Sequence, residues 1–374
     1  MSRRKFFFTI ILFASLVFGI HPYEAHCKEL QLIRPGNPFP EVPLQIPSDS
    51  EERNYLGLKP GEFFTLKDIK TDVVLVEIMS VYCPSCQRQV KPYNELFDLI
   101  ENSANTKGRI KIIGIAVGNS EVEIEDFHKR YRVKFPIVPD PNLAMHSAIG
   151  GSRTPFSIYV RQDQSGWTGV VADTHLGRNR NYKKLFSELT ELANTDLAVI
   201  MKRGKQKKGE VIVVEQVLSE TEVQEKVKSL FASFDGKFSQ FEKINLKSVD
   251  SIYTCIVEHQ GKSRRLFARA TSRPPTCDLC HDVHFIYVFD SSGEVLKFEP
   301  IQLTKWGNKP WDESDVAKMR ERILGRYIAK PYLFNPKVDA VSSATITSAI
   351  IIDAVFREEK LLEELRDKGL IRGG

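Results

Sequence analysis

Two cysteines separated by two residues, Cys83 and Cys86, follow directly after an apolar run at 73–82. The run is typical of a buried strand, and the apolar residues after the cysteines recur at helical spacing, which predicts a helix over 87–102. Cys83 then caps that helix, and Cys86 lies one turn inside it. Unpaired N–H groups and the macrodipole at a helix N-terminus favour a thiolate. We therefore expect a redox pair in which an exposed Cys83 attacks a substrate disulfide and Cys86 resolves the mixed disulfide.

A structural disulfide or half of a zinc site is the alternative interpretation of this pair. Zinc needs a second pair of ligands at matching spacing, and no neighbouring segment supplies one. The sequence therefore predicts no metal site.

Two further features accompany the cysteines. Glu77 lies six residues before Cys83 in the apolar run, where an acid is costly unless it is used or paired. Farther along, Thr154 and Pro155 precede a second strand-like run at 156–160. Together these residues resemble the thioredoxin superfamily. The resemblance implies that Glu77 is the buried carboxylate that exchanges the proton of the resolving thiol. It also implies that Pro155 is the cis-proline that faces the cysteine pair and offers backbone to substrate.

The elements predicted between the cysteine pair and Pro155 point to one branch of this superfamily. A strand, a helix, an extra strand-like segment and a short helix are predicted at 109–117, 121–131, 135–140 and 143–149. This order is similar to the membrane-anchored periplasmic thioredoxins of the peroxiredoxin-like branch, which serve cytochrome maturation. Tyr82 stands where that family commonly has Trp.

The N-terminal residues predict export. Three basic residues precede an uncharged run at 6–20, so residues 1–26 are typical of a signal peptide, with an N-terminal anchor as the alternative. The run is short for a membrane span of about 20 residues. Of the six cysteines, four lie in Cys-x-x-Cys pairs, which agrees with an oxidising compartment. We expect a periplasmic or otherwise extracytoplasmic location.

The length of 374 residues with 42% hydrophobic content suits two domains. The net charge of +5 is modest, and its one dense basic cluster at 202–208 predicts a solvated linker rather than a nucleic-acid surface. The expected division is therefore a domain at 35–195, a basic linker at 196–212 and a second domain at 213–374.

The second domain is predicted to mix helices and strands. Helices are expected at 220–234, 313–328 and 346–365, and strands at 251–258, 264–271, 284–290 and 294–298. The last helix follows a hydroxyl-rich segment at 338–348. Hydroxyls and unpaired N–H groups at a helix start hold a phosphate without a basic residue, although such a string is more often simple capping.

That segment resembles the attachment signature of the FMN-binding domains in Rnf-type and sodium-pumping quinone reductase complexes. Asp339, Ser342, Ala344 and Thr345 match the signature, and Ser343 replaces its Gly. The resemblance implies that these five residues bind the cofactor, that the Thr345 hydroxyl forms a phosphoester with FMN, and that a flavin transferase attaches it. Non-covalent FMN is the alternative. The fold class expected for the whole chain is thus an α/β thioredoxin-like domain followed by an α+β FMN-binding domain.

A second Cys-x-x-Cys pair, Cys277 and Cys280, is followed by His281. This spacing satisfies the pattern for haem c attachment, but the strand-like residues after it disfavour haem. A redox-active disulfide near the flavin and a structural disulfide stay open. Trp306 and Trp311 could stack on the flavin ring, although core packing is favoured for both.

The combined features predict an exported oxidoreductase that joins thiol–disulfide exchange to electron transfer through FMN. The expected partners are protein clients with disulfides and a membrane electron-transfer complex. Two interpretations compete with this one. Either the two redox domains work independently, or the chain is a non-catalytic docking or assembly subunit.

Overall fold

The computed structural model of the protein describes residues 27–163, 169–249, 252–277 and 280–371. The leader predicted at 1–26 lies outside the described residues. Within the described ranges, no helix combines the length and the apolar character needed to span a membrane.

The first half of the chain is built around a five-stranded sheet. Its elements in chain order are β1 (Cys27–Gln31), β2 (Leu44–Gln45), α1 (Ser50–Leu56), β3 (Phe63–Phe64), β4 (Val73–Met79), α2 (Pro84–Asn102), β5 (Ile110–Val117), α3 (Glu121–Tyr131), β6 (Ile137–Asp140), α4 (Ala144–Ala148), β7 (Phe156–Arg161), β8 (Val170–Leu176), α5 (Tyr182–Asn194) and α6 (Leu197–Gln206). The strand order is β6-β5-β4-β7-β8. Strand β4 is parallel to β5 and antiparallel to β7. The predicted strand before Cys83 and the predicted helices after it are confirmed, with small shifts at their ends.

Strand β4 is buried along its whole length because both faces of the sheet are covered. Val73 and Leu75 pack with residues of α2, α3 and α5. Val74 and Val76 point to the opposite face and join a core that continues into the second half of the chain. The alternation of a strand places Glu77 on the α2 face, the side on which Cys83 and Cys86 begin their helix.

The segment predicted as a basic linker is folded onto the first half. Residues 197–206 form α6, and Ile200 and Gly204 of that helix are buried. Gly204 packs so closely on Gly36 that a Cβ on Gly204 would lie 2.4 Å from the Gly36 nitrogen. The segment predicted as a basic linker therefore contains a helix, because apolar and small residues at helical spacing give it a buried face.

The second half is a mixed α/β unit with an antiparallel sheet. Its elements are β9 (Val211–Glu215), α7 (Glu220–Ala232), β10 (Lys237–Ile244), β11 (Ile252–His259), β12 (Lys262–Arg273), β13 (Val283–Asp290), β14 (Val295–Gln302), β15 (Thr304–Lys305), β16 (Lys309–Pro310), α8 (Glu313–Ile323), α9 (Pro336–Asp339), α10 (Thr345–Val355) and α11 (Glu359–Asp367). Strands β10 to β14 form a meander in sequence order. Helix α7 packs on one face. Helices α8, α10 and α11 pack on the other. Strand β9 returns to pair with β1.

Two predicted helices end earlier than expected. The helix predicted at 313–328 stops at Ile323, because Gly325 turns with φ 74° and donates its N–H to Val295 at 2.8 Å. The helix predicted at 346–365 is two helices, α10 and α11. Helix α10 is buried on nearly all sides, whereas α11 buries only one leucine-rich face, so the two cannot continue on one straight axis.

The two halves are joined by packing and by a buried polar cluster. Ile346 of α10 lies against Gly118, where an added Cβ would come within 2.7 Å of the Ile346 side chain. Asp353, also on α10, accepts hydrogen bonds from Ser147 at 2.8 Å and from Arg273 at 3.0 Å. Arg357 pairs with the same carboxylate at 2.5 Å. Helix α10 is therefore held against the first half, with its N-terminus directed toward the residues around Cys83.

Candidate functional site

The first cysteine pair lies at the start of α2, just after the connection from β4. Cys83 is the N-cap of α2, Pro84 is its first helical residue, and Cys86 lies inside the first turn. Proline suits that first position because its missing N–H would be unpaired there anyway. Cys83 is 1% exposed and Cys86 is 2% exposed. The helix position is confirmed, but the prediction that Cys83 is exposed is wrong.

A segment of the second half covers Cys83. The N–H of Thr154 donates to the carbonyl oxygen of Thr276 at 2.7 Å, and the Thr154 hydroxyl donates to the same oxygen. Thr154 and Cys277 form a parallel β-bridge. The bond between Thr154 and Pro155 is cis, as the resemblance implies. The segment thus adds to the backbone beside Pro155 in the manner of an extra strand.

Three sulfur atoms meet at this point, those of Cys83, Cys86 and Cys277. Hydrogen bonds from the thiols of Cys277 and Cys86 lower the pKa of Cys83, against the opposing effect of burial. Burial, together with the hydrogen bond to Cys83, raises the pKa of Cys86. The thiolate is therefore placed on Cys83, and Cys86 keeps its proton. This is the division of roles that nucleophilic attack by Cys83 requires.

Glu77 lies behind the sulfur atoms and is buried. Its Oε2 accepts a hydrogen bond from Ser157 at 2.7 Å, and the Ser157 hydroxyl is 2.7 Å from that of Tyr93. Burial raises the pKa of Glu77 to about 8. The carboxyl group is thus largely protonated at neutral pH. The proton-exchange role that the resemblance implies for Glu77 stays a prediction, as does the substrate role of Pro155.

A cavity of about 330 Å³ opens beside the sulfur atoms, in the size range of small-molecule sites. Cys83, Cys277, Cys280 and Thr345 all line it. The other predicted site residues in its wall are His281, Ser343 and Ala344. The fold therefore brings Cys83, the second cysteine pair and the predicted attachment residue to one cavity, although they are far apart in the sequence.

Helix α10 begins at Thr345, and its N-cap, Ala344, provides no side-chain cap. The N–H groups of the first turn therefore have no capping oxygen from that residue, and residues of this turn line the cavity. Ser343 has φ 59°, in the left-handed region that glycine adopts most readily. Ser343 thus takes the backbone shape for which the signature's glycine is suited.

Thr345 also contacts the residue before the first cysteine. Its side chain hydrogen-bonds to the hydroxyl of Tyr82. The Tyr82 hydroxyl in turn donates to Glu123 of α3. Tyr82 therefore spans the short distance between the start of α10 and the start of α2.

The AhpC/TSA family matches residues 35–176. The thiol-disulfide oxidoreductase ResA of Halalkalibacterium halodurans is 24% identical over 180 residues, which are 47% of this chain and 90% of that protein. ResA of Geobacillus thermodenitrificans is 25% identical over 157 residues, which are 42% of this chain and 78% of that protein. The crystal structure of a protein described as a thiol:disulfide interchange protein DsbE from Chlorobium tepidum covers 44% of this chain and 99% of its own, at 15% identity and a TM-score of 0.34.

Residues 35–176 form a thioredoxin-like domain of the AhpC/TSA type. The cysteine pair at the start of α2, Glu77 in β4 and Pro155 before β7 are the residues on which the sequence resemblance was based. The match ends at residue 176. The chemistry of the second half therefore depends on the residues themselves.

Two of the predicted cofactor residues lie away from the cavity. Asp339 is buried and accepts hydrogen bonds from the Tyr332 hydroxyl and the Asn335 N–H, each at 2.7 Å. It holds the turn that precedes α10. Ser342 is exposed and is not part of the cavity wall.

Three residues that shape the site were missed or assigned another role in the sequence analysis. Trp306 is 62% exposed and lines the cavity, so the expectation that it packs in the core is wrong. The backbone N–H of Trp306 donates to the Ser343 carbonyl oxygen at 2.7 Å, and the side chain of Trp306 lines the cavity. Thr276 acts through its backbone carbonyl, for which no side-chain pattern exists. Tyr82 stood out only as a departure from the family's Trp.

The second cysteine pair is present as two thiols that differ in environment. Cys277 is 9% exposed and contacts both Cys83 and Thr154, whereas Cys280 is exposed. A porphyrin bound to both sulfurs would have to displace Cys277 from the thioredoxin-like domain, so this arrangement does not suit haem. Among the described residues, no three His, Cys, Asp or Glu side chains cluster as a metal site.

Proposed function

We propose that this protein is an extracytoplasmic thiol–disulfide oxidoreductase whose second half carries FMN on Thr345. Thiol–disulfide chemistry in the thioredoxin-like domain is supported by its ResA relatives and by the low pKa of Cys83. The flavin is supported above all by the one cavity that Cys83, Cys277, Cys280 and Thr345 share. Paired cysteines of this reactivity agree with an oxidising compartment.

The residues around the cavity suit a flavin. The Thr345 hydroxyl is the attachment point, and the N–H groups at the start of α10 suit a phosphate ester. The exposed ring of Trp306 and the side chain of Ile350 provide flat and apolar surface for a ring system. Lys305 also lines the cavity, but Asp312 and Asp315 already pair with its ammonium at 3.2 and 2.6 Å. The helix N-terminus, rather than this lysine, therefore supplies the positive potential.

The cysteines and Glu77 have separate roles in electron and proton transfer. FMN exchanges one or two electrons when bound, whereas a disulfide takes up two. Cys280 and Cys277 stand in the wall of the cavity that Thr345 and the buried Cys83 also line. Cys83 carries the thiolate, Cys86 holds a proton, and Glu77 is a buried acid beside them. The shared cavity favours a joined pathway over two independent redox domains.

The flavin is tested by producing the protein in an extracytoplasmic compartment together with a flavin transferase. We expect a visible flavin spectrum and a peptide mass that places FMN on Thr345. Thr345→Ala should abolish the covalent flavin, and Thr345→Ser is the matched control because it keeps a hydroxyl at the same position. Wild-type protein without bound flavin, covalent or not, would contradict this part of the proposal.

The thiol chemistry is tested separately by reduction of a disulfide-bonded protein substrate such as insulin. Cys83→Ser should abolish the reduction and leave the flavin on Thr345 in place. Full activity of Cys83→Ser would instead favour a docking subunit. Client proteins and a membrane electron-transfer complex are the partners that this function calls for.

A further inference from the structure

We infer that the immediate substrate of the Cys83/Cys86 pair is the chain's own Cys277/Cys280 pair, with Cys277 as the sulfur that Cys83 attacks and Cys280 as the sulfur that meets outside reactants. This inference rests on the proposed thiol–disulfide function and adds to it the partner and the order of the sulfur atoms.

The docking of residues 276–277 is that of a bound peptide. Thr276 accepts the N–H of Thr154 at 2.7 Å, and Cys277 forms a β-bridge with Thr154. Main-chain pairing of this kind is how extended peptides bind beside a strand, with affinity supplied by backbone hydrogen bonds. The Sγ of Cys83 lies 3.4 Å from the Thr154 carbonyl oxygen, so the docked segment and the attacking sulfur meet at the same residue.

An ion pair also holds the docked segment in this position beside Thr154. Arg153, next to Thr154, pairs with Asp282 at 3.1 Å. Asp282 follows Cys280 by two residues. The segment is thus held on both sides of its cysteines, by Thr276 before them and by Asp282 after them.

The two sulfurs of the second pair have different surroundings, and this sets the order of exchange. Cys277 is buried and hydrogen-bonds to Cys83. Cys280 is exposed and lies in the cavity wall. Attack by Cys83 on Cys277 therefore releases Cys280 toward the cavity, where it is accessible to the next reactant. Cys83 itself is 1% exposed in this arrangement, so a protein disulfide has no direct route to it.

The step balances within the chain. The Cys83 thiolate attacks the Cys277 sulfur of a Cys277–Cys280 disulfide, the S–S bond breaks, and Cys280 leaves as a thiolate that takes up a proton. The Cys86 thiol then loses its proton and attacks Cys83, which forms the Cys83–Cys86 disulfide and releases Cys277. Two electrons have moved from the first pair to the second, and the reverse sequence moves them back.

Paired double variants test the order of the sulfurs. Cys86→Ala/Cys280→Ala leaves Cys83 and Cys277, whereas Cys86→Ala/Cys277→Ala leaves Cys83 and Cys280. Both proteins are oxidised with diamide, and their peptides are separated without reduction and identified by mass. We expect a Cys83–Cys277 disulfide in the first variant, formed at a rate independent of protein concentration, and loss of the cross-link in the second. Equal cross-linking of Cys83 to Cys277 and to Cys280, or none to Cys277, overturns the inference.

A measurement on the wild-type protein keeps the test valid if a variant misfolds. Samples quenched with acid during oxidation should contain the Cys83–Cys277 linkage as a transient species, and its absence counts against the inference. Reduction of insulin by the same wild-type protein distinguishes the Cys83–Cys277 exchange from the proposed thiol–disulfide function. Activity without any Cys83–Cys277 linkage overturns the inference and leaves the proposed function standing, whereas inactivity removes both.

Discussion

Replacing Cys277 by alanine should raise the pKa of Cys83, although the change is on a distant part of the sequence. The hydrogen bond from the Cys277 thiol is the largest of the contributions that lower the pKa of Cys83. Without it, the thiolate retains the donors of its own helix turn and the interaction with Thr154. The reactive state of the thioredoxin-like domain thus depends on a residue of the second half.

The size of the effect follows from the strength of a charge-assisted hydrogen bond. Such a bond contributes about 1.5–3 kcal/mol. Because a pKa change of 1 corresponds to about 1.4 kcal/mol, its loss would raise the pKa by about 1 to 2. A thiol is a weak donor, so we expect a rise of about 1. At a pH below both midpoints, the thiolate fraction of Cys83 should then fall about tenfold.

The assay is the pH dependence of alkylation of Cys83 by iodoacetamide, followed on the Cys83 peptide by mass spectrometry. The readout is the midpoint of the rate profile rather than the rate itself, because alanine also opens access to the buried sulfur. Cys277→Ser is the matched control, since its hydroxyl keeps a donor at the same place. We expect the serine variant to retain a midpoint close to that of the wild type. Identical midpoints in the wild type and the alanine variant would refute the role of Cys277, as would a serine variant that titrates like alanine.

Three predictions concern stability. The pKa of Glu77 is about 8 when folded and 4.5 ordinarily, so the folded state binds the extra proton and the contribution of Glu77 to the free energy of unfolding should fall as the pH rises from about 5 to 8, by up to about 1.4 kcal/mol per pH unit. Urea unfolding of the wild type and of Glu77→Gln should therefore differ in their pH slopes over this range, and equal slopes would reject the raised pKa. Asp353→Ala should cost about 3 kcal/mol because it leaves Arg273 without its buried partner, and Asp353→Asn, which keeps an acceptor, should cost less; equal losses would show that the charge is irrelevant. Gly204→Ala should destabilise by about 1–3 kcal/mol because its Cβ would strike Gly36, and a melting temperature equal to that of the wild type would show that α6 is not packed there.

Local patterns in the sequence were enough to predict most of the elements near the site. The apolar run that becomes β4, the cysteine at the N-cap of α2 and the hairpin of β13 and β14 all depend on residues adjacent in the chain. Periodicity and turn residues report such features directly. The same reasoning did not predict the helix α6 within the basic segment 196–212, because it considered the charges and not the few small and apolar residues that pack.

The residues themselves determined which chemistry is present: two cysteine pairs, a buried acid and a hydroxyl-rich helix start. Tertiary structure alone decided that they meet. It placed the Thr276 carbonyl on Thr154, buried Cys83 beside Cys277 and brought Thr345 to the cavity that Cys83, Cys277 and Cys280 line. Backbone pairing between segments more than 100 residues apart has no side-chain signature, so no local sequence pattern could predict that Thr276 pairs with Thr154.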